Sequence, residues 1–381
     1  MDFVASRLVT AEQLRPLIPF CGLLDSHLNE ALDHCQTQLL CAGDRLFSKG
    51  QFDPYHYFLL SGEMHCSDQD EGPDVVRAQD SLEALWDQQP RPGNAKAAGD
   101  CVVVAIERER LDKLLTWSQV AEYLLVDLAA QRDLDEDAAW VEEILRSNLF
   151  LKMPPTNVQG IFQKLTSRWV SAGEVVIRQG ELGDCCYFLK EGQARVTRHH
   201  SDDEGGTEHL ADVGVGRCFG EDALLQETVR NATVTMLTDG VLQVLQKHDF
   251  LRLLQQPKVP ELPFTAFSKR LLDDLTIIDV RTEGEYASGH FDRAVNIPLN
   301  LLRLKSRLLP KGKPCLVFCS TGRRSRAATF LLGQLGIDAE SLRDGVFAMD
   351  KSTVDRWTDD EYVLKNGQVL PGQPSGTINT R

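Results

Sequence analysis

The chain has 381 residues, of which 42% are hydrophobic and 25% charged, and its formal net charge is -15. This length predicts about two or three domains, and we expect three. The acidic balance argues against a nucleic-acid partner, which requires clustered positive charge, and no stretch reaches the roughly 18 uninterrupted apolar residues of a membrane span.

An internal repeat occupies the first two thirds of the chain. Glycines and an aromatic segment recur at one constant offset of 130 positions: Gly43 with Gly173, Gly50 with Gly180, Tyr57-Phe58-Leu59 with Tyr187-Phe188-Leu189, and Gly62 with Gly192. Glycine at fixed places indicates that the same turns recur. The sequence therefore predicts one domain present twice.

Each copy has the same predicted element order. A helical pattern at 26–35, and again at 156–165, precedes short β-rich segments and a closing helix. We predict two antiparallel, jelly-roll-like β-rolls, at 10–117 and 147–255, joined by connecting helices at 118–146. Later pairs such as Ala84-Leu85 with Ala223-Leu224 match at an offset of 139, so the first copy is shorter by a trimmed loop.

Residues 219–234 of the second copy read FGEDALLQETVRNATV. This segment resembles the phosphate-binding cassette of the cyclic nucleotide-binding domain family. The resemblance implies that Glu221 accepts a hydrogen bond from a ribose 2′-hydroxyl and that Arg230 binds the cyclic phosphate. The candidate binding residues are Phe219, Gly220, Glu221, Asp222, Ala223, Arg230, Asn231 and Ala232.

The expected regulatory ligand is a cyclic nucleotide, with cAMP favoured over cGMP. Asn231 stands where the family usually has Ala or Thr, and an amide both donates and accepts, so the base preference stays open. The alternative is a roll used only for dimer contacts, with Arg230 paired to Glu221 or Glu227. A homodimer is compatible with either interpretation.

The first copy lacks this cassette. At an offset of 139, Asp80, Ser81 and Leu82 replace the phenylalanine, glycine and glutamate, and only Arg91 remains, between two prolines. Without the ribose acceptor and the glycine we expect no nucleotide binding. The first roll is predicted to be a structural or regulatory surface, for dimerisation or docking.

After a proline-containing linker at 256–263, strands alternate with helices, which predicts an α/β domain with a parallel sheet at 264–360. The whole chain is thus a multi-domain protein of α+β and α/β class, ending in a mobile tail at 361–381. The C-terminal domain resembles the rhodanese family of sulfurtransferases through Asp279-Val280-Arg281, Glu285-Tyr286, Gly289-His290, Ala294, Asn296-Ile297-Pro298-Leu299 and a loop that starts at Cys319.

That loop joins a buried strand to a helix, where free N–H groups and the helix dipole favour an anion. A cysteine in such a place, near arginine, can have its pKa lowered to roughly 3.5–7.5, so we expect a reactive thiolate. The resemblance implies that Cys319 carries a persulfide and that Arg324 or Arg323 holds an anionic donor. The surrounding loop residues are Ser320, Thr321, Gly322 and Ser325.

Loop length separates related chemistries. Phosphatases of a related fold place five residues between cysteine and arginine, whereas four separate Cys319 from Arg324, which favours sulfur over phosphate-ester or arsenate chemistry. The ten cysteines lack the spacing of a disulfide framework or of a zinc-type Cys-x-x-Cys pair, so we expect reduced thiols and no metal. Cys315, within the strand, is predicted to be structural.

The sequence thus predicts a cytoplasmic sulfurtransferase that takes sulfur from a small donor such as thiosulfate and gives it to a thiol or cyanide. No catalytic cofactor is expected, and we hypothesise that the cyclic nucleotide alters the transfer. The alternative is a non-catalytic, nucleotide-responsive binding or oligomerisation module whose rhodanese loop docks a partner.

Overall fold

The computed structural model describes residues 9–68, 74–129, 140, 144–145, 153–200, 206–271, 274–348, 357–365 and 367–372. The chain forms two compact units. One unit combines Met1–Tyr123 with Val259–Arg381, and the other is Leu124–Lys258. The first roll and the C-terminal domain therefore share one unit, although they are far apart in sequence.

The first roll consists of two antiparallel sheets, of strand order β1-β7-β3 and β2-β6-β4-β5. Side chains alternate along β3: Phe58 packs with the helices, whereas Tyr57 and Leu59 fill the core of the roll, as the two-residue period of a strand requires. The elements are α1 (Ala11–Leu14), α2 (Asp25–Asp33), β1 (Gln36–Leu40), β2 (Arg45–Phe47), β3 (Tyr55–Ser61), β4 (Glu63–Ser67), β5 (Asp74–Arg77), β6 (Asn94–Ala97), β7 (Cys101–Glu107) and α3 (Arg108–Ala129).

The second roll has the sheets β13-β10-β15-β8 and β12-β11-β14-β9, also antiparallel. The predicted recurrence of turns is present: φ is +88° at Gly43 and +82° at Gly173. The elements are α4 (Val158–Lys164), β8 (Thr166–Val170), β9 (Val175–Ile177), β10 (Cys185–Glu191), β11 (Ala194–His199), β12 (Thr207–Val213), β13 (Cys218–Phe219), α5 (Glu221–Leu225), β14 (Thr233–Met236), β15 (Gly240–Gln246) and α6 (Lys247–Leu254).

The C-terminal domain has the predicted parallel sheet, with five strands in the order β16-β21-β20-β17-β19. Its central strands are buried along their whole length, as expected when both faces of a parallel sheet are covered. The elements are β16 (Glu261–Leu262), α7 (Phe264–Arg270), β17 (Thr276–Asp279), α8 (Glu283–Ala287), β18 (His290–Phe291), β19 (Val295–Asn296), α9 (Leu302–Lys305), β20 (Cys315–Phe318), α10 (Arg323–Gln334), β21 (Ala339–Leu342), β22 (Trp357–Thr358), β23 (Tyr362–Lys365) and β24 (Gln368–Pro371).

Two boundaries differ from the predicted ones. The linker at 256–263 contributes the edge strand β16, which pairs with β21. The tail from 361 contains the hairpin β23-β24, and it is attached where the Tyr362 amide donates to the Tyr286 hydroxyl at 3.1 Å. Residues 373–381 lie outside the described residues.

The connecting segment at 118–146 is described only in part. Its beginning is helical, because α3 continues to Ala129, and most of the rest lies outside the described residues. In the part of the chain that the structure covers, every helix is too short or too polar to span a bilayer.

Candidate functional site

The Cys319 loop follows β20 and ends where α10 begins. Gly322, at φ +90°, turns the backbone immediately before the helix. The loop backbone is fixed from one side by a neighbouring turn, since the Val346 amide donates to the Cys319 carbonyl at 2.9 Å and the Phe347 amide to the Ser320 carbonyl at 3.1 Å. This approach requires Gly345, where a Cβ would lie 2.3 Å from the Ser320 carbonyl oxygen.

Backbone amides point at the Cys319 sulfur, as a loop that holds an anion requires. The amide of Gly322 lies 3.1 Å from Sγ, and the amide of Ser325 lies 3.3 Å away. The Ser325 hydroxyl is 3.5 Å from the same atom. Two backbone amides and one hydroxyl therefore surround the sulfur.

The environment of the thiol differs from the predicted one. Cys319 is 0% exposed, and burial, followed by the negative charge of Asp112, raises its pKa. We expected a lowered pKa from the helix N-terminus and arginine. In this closed conformation desolvation outweighs the amides and Arg324, because burial disfavours the charged form.

Arg324 is already occupied by carboxylates. It makes a bidentate pair with Glu285, at 2.6 and 2.8 Å, and its Nε lies 3.1 Å from Oδ1 of Asp112. Burial alone would raise the pKa of Glu285, but the charge of Arg324 lowers this pKa by more than burial raises it, so the net shift is downward. Arg323, the other candidate, is 46% exposed and lies 3.6 Å from Glu109.

Two acidic residues of this site were not among the predicted site residues. Glu285 belongs to the rhodanese-like motif, and its position follows from a capping box in which Thr282 and Glu285 bond each other's backbone amides. Asp112 lies on α3, more than 200 positions before Arg324. No local sequence pattern marks it, because its role depends on the docking of the first roll against the C-terminal domain.

The nucleotide cassette of the second roll is built around Arg230, which is 5% exposed. Its guanidinium donates to the carbonyls of Gly220 and Cys185, each at 2.6 Å, and Nη2 lies 3.4 Å from the exposed carboxylate of Asp184. Gly220, at φ +84°, has no room for a side chain, because a Cβ would lie 2.9 Å from Nη1 of Arg230. Arg230 is thus held mainly by two neutral carbonyls, one before α5 and one at the start of β10.

The other candidate residues of the cassette have different roles. Phe219 stacks on Tyr187 at 5.4 Å and, with Ala223 and Ala232, is buried. Asp222 and Asn231 are exposed, and Glu221 is half-buried at the first position of α5. The polar side chains of the cassette that reach the surface are therefore those of Glu221, Asp222 and Asn231, whereas Arg230 is buried.

The first roll holds its arginine with an internal anion. Arg91, whose side chain is fully buried, makes a bidentate pair with Asp53 at 2.7 and 3.0 Å. Its Nη2 also donates to the Tyr55 carbonyl at 2.6 Å, the counterpart of the bond from Arg230 to Cys185. Asp53 stands where the second copy has Gly183, so a carboxylate fills the place that an anionic ligand would need.

Two segments of the chain match known families. Residues 167–257 match the cyclic nucleotide-binding domain, and residues 265–352 match the rhodanese-like domain. The chain therefore contains one domain of each kind. The presence of both agrees with the two resemblances that the motifs indicate.

Two curated relatives and one solved structure are similar to part of this chain. The cAMP-dependent protein kinase regulatory subunit of Yarrowia lipolytica is 28% identical over 66% of this chain and 64% of its own length. The cyclic AMP receptor protein of Thermus thermophilus is 32% identical over 37% of this chain and 68% of its own. The regulatory domain of Toxoplasma gondii PKA, solved with cAMP, is 22% identical over 64% of this chain and 90% of that one, with a TM-score of 0.29.

Proposed function

We propose that this chain is a rhodanese-type sulfurtransferase that carries sulfur as a persulfide on Cys319. The observation that carries the proposal is the direction of two amides, those of Gly322 and Ser325, toward the Cys319 sulfur. Backbone N–H groups at a helix N-terminus stabilise a thiolate or persulfide anion. The match of residues 265–352 to the rhodanese-like domain supports the same chemistry.

The reaction needs no cofactor. After the Cys319 proton leaves to solvent, the thiolate attacks the outer sulfur of thiosulfate; a new S–S bond forms, and sulfite leaves with the electron pair of the broken one. A thiol or cyanide then attacks the terminal sulfur, and the Cys319 thiolate leaves with its electron pair. Because Cys319 is 0% exposed, both steps take place in an opened conformation.

The test is a mass measurement after incubation with thiosulfate. We expect a one-sulfur mass increase on the peptide that contains Cys319, which Cys319→Ser removes. Cys315→Ser is the matched control, because Cys315 is buried in β20 and burial raises the pKa of its thiol to about 12. An increase that persists in Cys319→Ser, or none in any variant, would refute the transfer.

The second candidate is a non-catalytic module whose loop only docks a partner. It is favoured by the occupation of Arg324 by Glu285 and Asp112, which leaves the arginine without a free face for a donor. The same mass measurement separates the two functions, because a docking loop gains no sulfur.

We also propose that the second roll is a cyclic nucleotide sensor, with cAMP favoured over cGMP. Arg230 binds the phosphate and Glu221 the ribose hydroxyl, and the match of residues 167–257 supports this role. Calorimetry should show that Arg230→Ala weakens binding by roughly 10- to 100-fold, the loss of a charge-assisted hydrogen bond. The control Arg195→Ala, which removes an exposed pair with Asp212, should bind like wild type.

Regulation of the transfer by the nucleotide is the remaining part of the proposal. A ligand changes activity only if it binds the two conformations with different affinity. Transfer rates measured with and without saturating cAMP should therefore differ. Superimposable rates would remove the regulation while leaving binding and transfer intact.

A further inference from the structure

The first roll contributes a carboxylate to the rhodanese loop. Asp112, on α3, has a side chain that is 4% exposed. Oδ1 lies 3.1 Å from Nε and 3.0 Å from Nη2 of Arg324, and Oδ2 accepts a hydrogen bond from the Thr321 hydroxyl. Both oxygens of this carboxylate are thus bound by residues of the loop that surrounds the sulfur.

The charges of this site disfavour a second anion. Asp112 and Glu285 bring two negative charges to Arg324, and the charge of Arg281, which also acts on Glu285, is paired with Asp279. An anionic donor such as thiosulfate would meet a net negative, buried site in which Arg324 already has its partners. Like charges in a site of low polarity repel strongly.

Other side chains of α3 also contact the C-terminal domain. The first turn of α3 also places Glu109 3.6 Å from Arg323 and the Arg108 guanidinium 5.2 Å from the Phe347 ring. Farther along α3, the Asn300 amide donates to the Glu122 carboxylate at 2.5 Å. The contact between α3 and the C-terminal domain therefore involves several side chains and not Asp112 alone.

We propose that Asp112 is an internal substitute for the anionic sulfur donor, and that α3 of the first roll is an autoinhibitory lid on the Cys319 loop. The inference rests on the proposed sulfurtransferase function. It gives the first roll a role other than ligand binding at Arg91, because Asp53 already pairs with that arginine. A buried ion pair contributes little net stability, because desolvation offsets the attraction, so such a lid can open.

The test uses the full chain with Asp112→Asn, and Glu109→Gln as the matched control one turn earlier on α3. Iodoacetamide labelling, resolved by peptide mass spectrometry, reports the accessibility of Cys319 whether or not the protein transfers sulfur. We expect Asp112→Asn to raise the labelling rate of Cys319 by about tenfold or more, since one partner of a buried pair is lost. Glu109→Gln should label like wild type, because Glu109 is 84% exposed and an exposed ion pair contributes little.

Cys315 reports local unfolding in the same experiment, because it lies four residues earlier, in β20, and is 1% exposed. Its labelling should stay unchanged while that of Cys319 rises. Two results in Asp112→Asn would each overturn the lid: a parallel rise in the labelling of both cysteines, or no rise in the labelling of Cys319. The exception is a result in which Thr321→Val, which removes the other hydrogen bond to Asp112, exposes Cys319 alone. Inorganic sulfate should slow the labelling of Cys319 in Asp112→Asn but not in wild type.

The sulfur adduct separates this inference from the function on which it rests. Faster adduct formation in Asp112→Asn than in wild type supports both. Faster labelling with no adduct in any variant supports the lid and refutes the transfer. Equal adduct formation in wild type and Asp112→Asn supports the transfer and refutes the lid.

Discussion

The two rolls differ at one residue beside their equivalent arginines. Arg91 and Arg230 occupy equivalent places in the two rolls. Each donates at 2.6 Å to the carbonyl of the first residue of a corresponding strand, β3 in the first roll and β10 in the second. The first roll has Asp53 where the second has Gly183. In one copy the guanidinium is neutralised by a carboxylate of the chain, and in the other it is held mainly by neutral carbonyls.

This difference predicts that removing the carboxylate of Asp53 and removing that of Asp184 have unequal effects on stability. Asp53→Asn should destabilise the first roll by about 3 kcal/mol, because it removes the bidentate partner of the buried Arg91 charge and leaves only the carboxylate of Asp87, 3.7 Å away. The matched variant is Asp184→Asn, whose carboxylate is 84% exposed and lies 3.4 Å from Arg230. It should change the free energy of unfolding by less than about 1 kcal/mol.

Scanning calorimetry measures both effects, with hydrogen exchange of first-roll peptides assigning the transition. Equal stability losses in the two variants would contradict the assignment of Asp53 as an internal counter-ion.

The protonation of Cys319 leads to a second prediction at this scale. Burial, then Asp112, raises the pKa of this thiol, while Arg324 and Ser325 oppose the shift. Because only the thiolate reacts, labelling of wild type should rise with pH at values above the ordinary midpoint of about 8.5. Asp112→Asn should move the midpoint to lower pH. A pH profile of iodoacetamide labelling checks both, and a midpoint below 8.5 in wild type would contradict the closed site.

The reactive loop itself was predictable from the sequence, whereas the state of its thiol was not. A cysteine between a buried strand and a helix predicts inward amides, and those of Gly322 and Ser325 have this direction. The raised pKa depends first on burial and then on the charge of Asp112, which lies far from Cys319 in sequence. Local sequence patterns predict the loop but not the residues of α3 that lie against it.

At the scale of elements, the repeat in the sequence corresponds to matching strands in the two rolls. The offset of 130 relates β3 (Tyr55–Ser61) to β10 (Cys185–Glu191), and the offset of 139 relates β7 (Cys101–Glu107) to β15 (Gly240–Gln246). These matches rest on glycine turns and alternating side chains, which are local signals. The edge strand Glu261–Leu262 was missed because it forms by long-range pairing with β21, whereas the hairpin of the tail is a local pairing in which Lys365 lies opposite Gln368.

The turn that supports the Cys319 loop gives a prediction at this scale. Gly345→Ala should destabilise the loop by about 1–2 kcal/mol or more, because its φ is +66° and the new Cβ would contact the Ser320 carbonyl. Gly333→Ala in α10 is the control. A Cβ there meets no atom within 4 Å, so alanine should stabilise the helix by about 0.5–1 kcal/mol.

Thermal unfolding measures the two stabilities, and labelling of Cys319 reports the loop. Gly345→Ala should expose Cys319, whereas Gly333→Ala should not. Equal labelling in the two variants would show that the turn at Gly345 does not hold the loop.

At the scale of the whole molecule, buried charge is concentrated in the unit that contains the first roll and the C-terminal domain. Its pairs Arg91–Asp53, Arg324–Glu285 and Arg281–Asp279 have side chains that are at most 11% exposed. In the other unit, the pairs Arg168–Glu174, Arg195–Asp212 and Arg230–Asp184 each include a side chain more than 40% exposed. The sequence showed the charges but not which of them become buried.

This distribution predicts that the two units lose stability at different acidity. The pKa of Glu285 is lowered in the folded protein, against the effect of burial, by Arg324, and that of Asp87 by His56, Arg108 and Arg91. A lowered carboxyl pKa contributes stability that is fully present above the unfolded value, about 4.3 for Glu and 3.9 for Asp, and that is lost as pH falls further.

These contributions should therefore disappear as pH falls below about 4. Hydrogen exchange at several pH values, corrected for the intrinsic exchange rate, should therefore show that peptides from 9–123 and 259–372 lose protection at higher pH than those from 153–258. Glu285→Gln should reduce the acid sensitivity of the first group, since its folded state no longer depends on that ionisation. Simultaneous loss in both units would mean that the buried pairs do not determine acid stability.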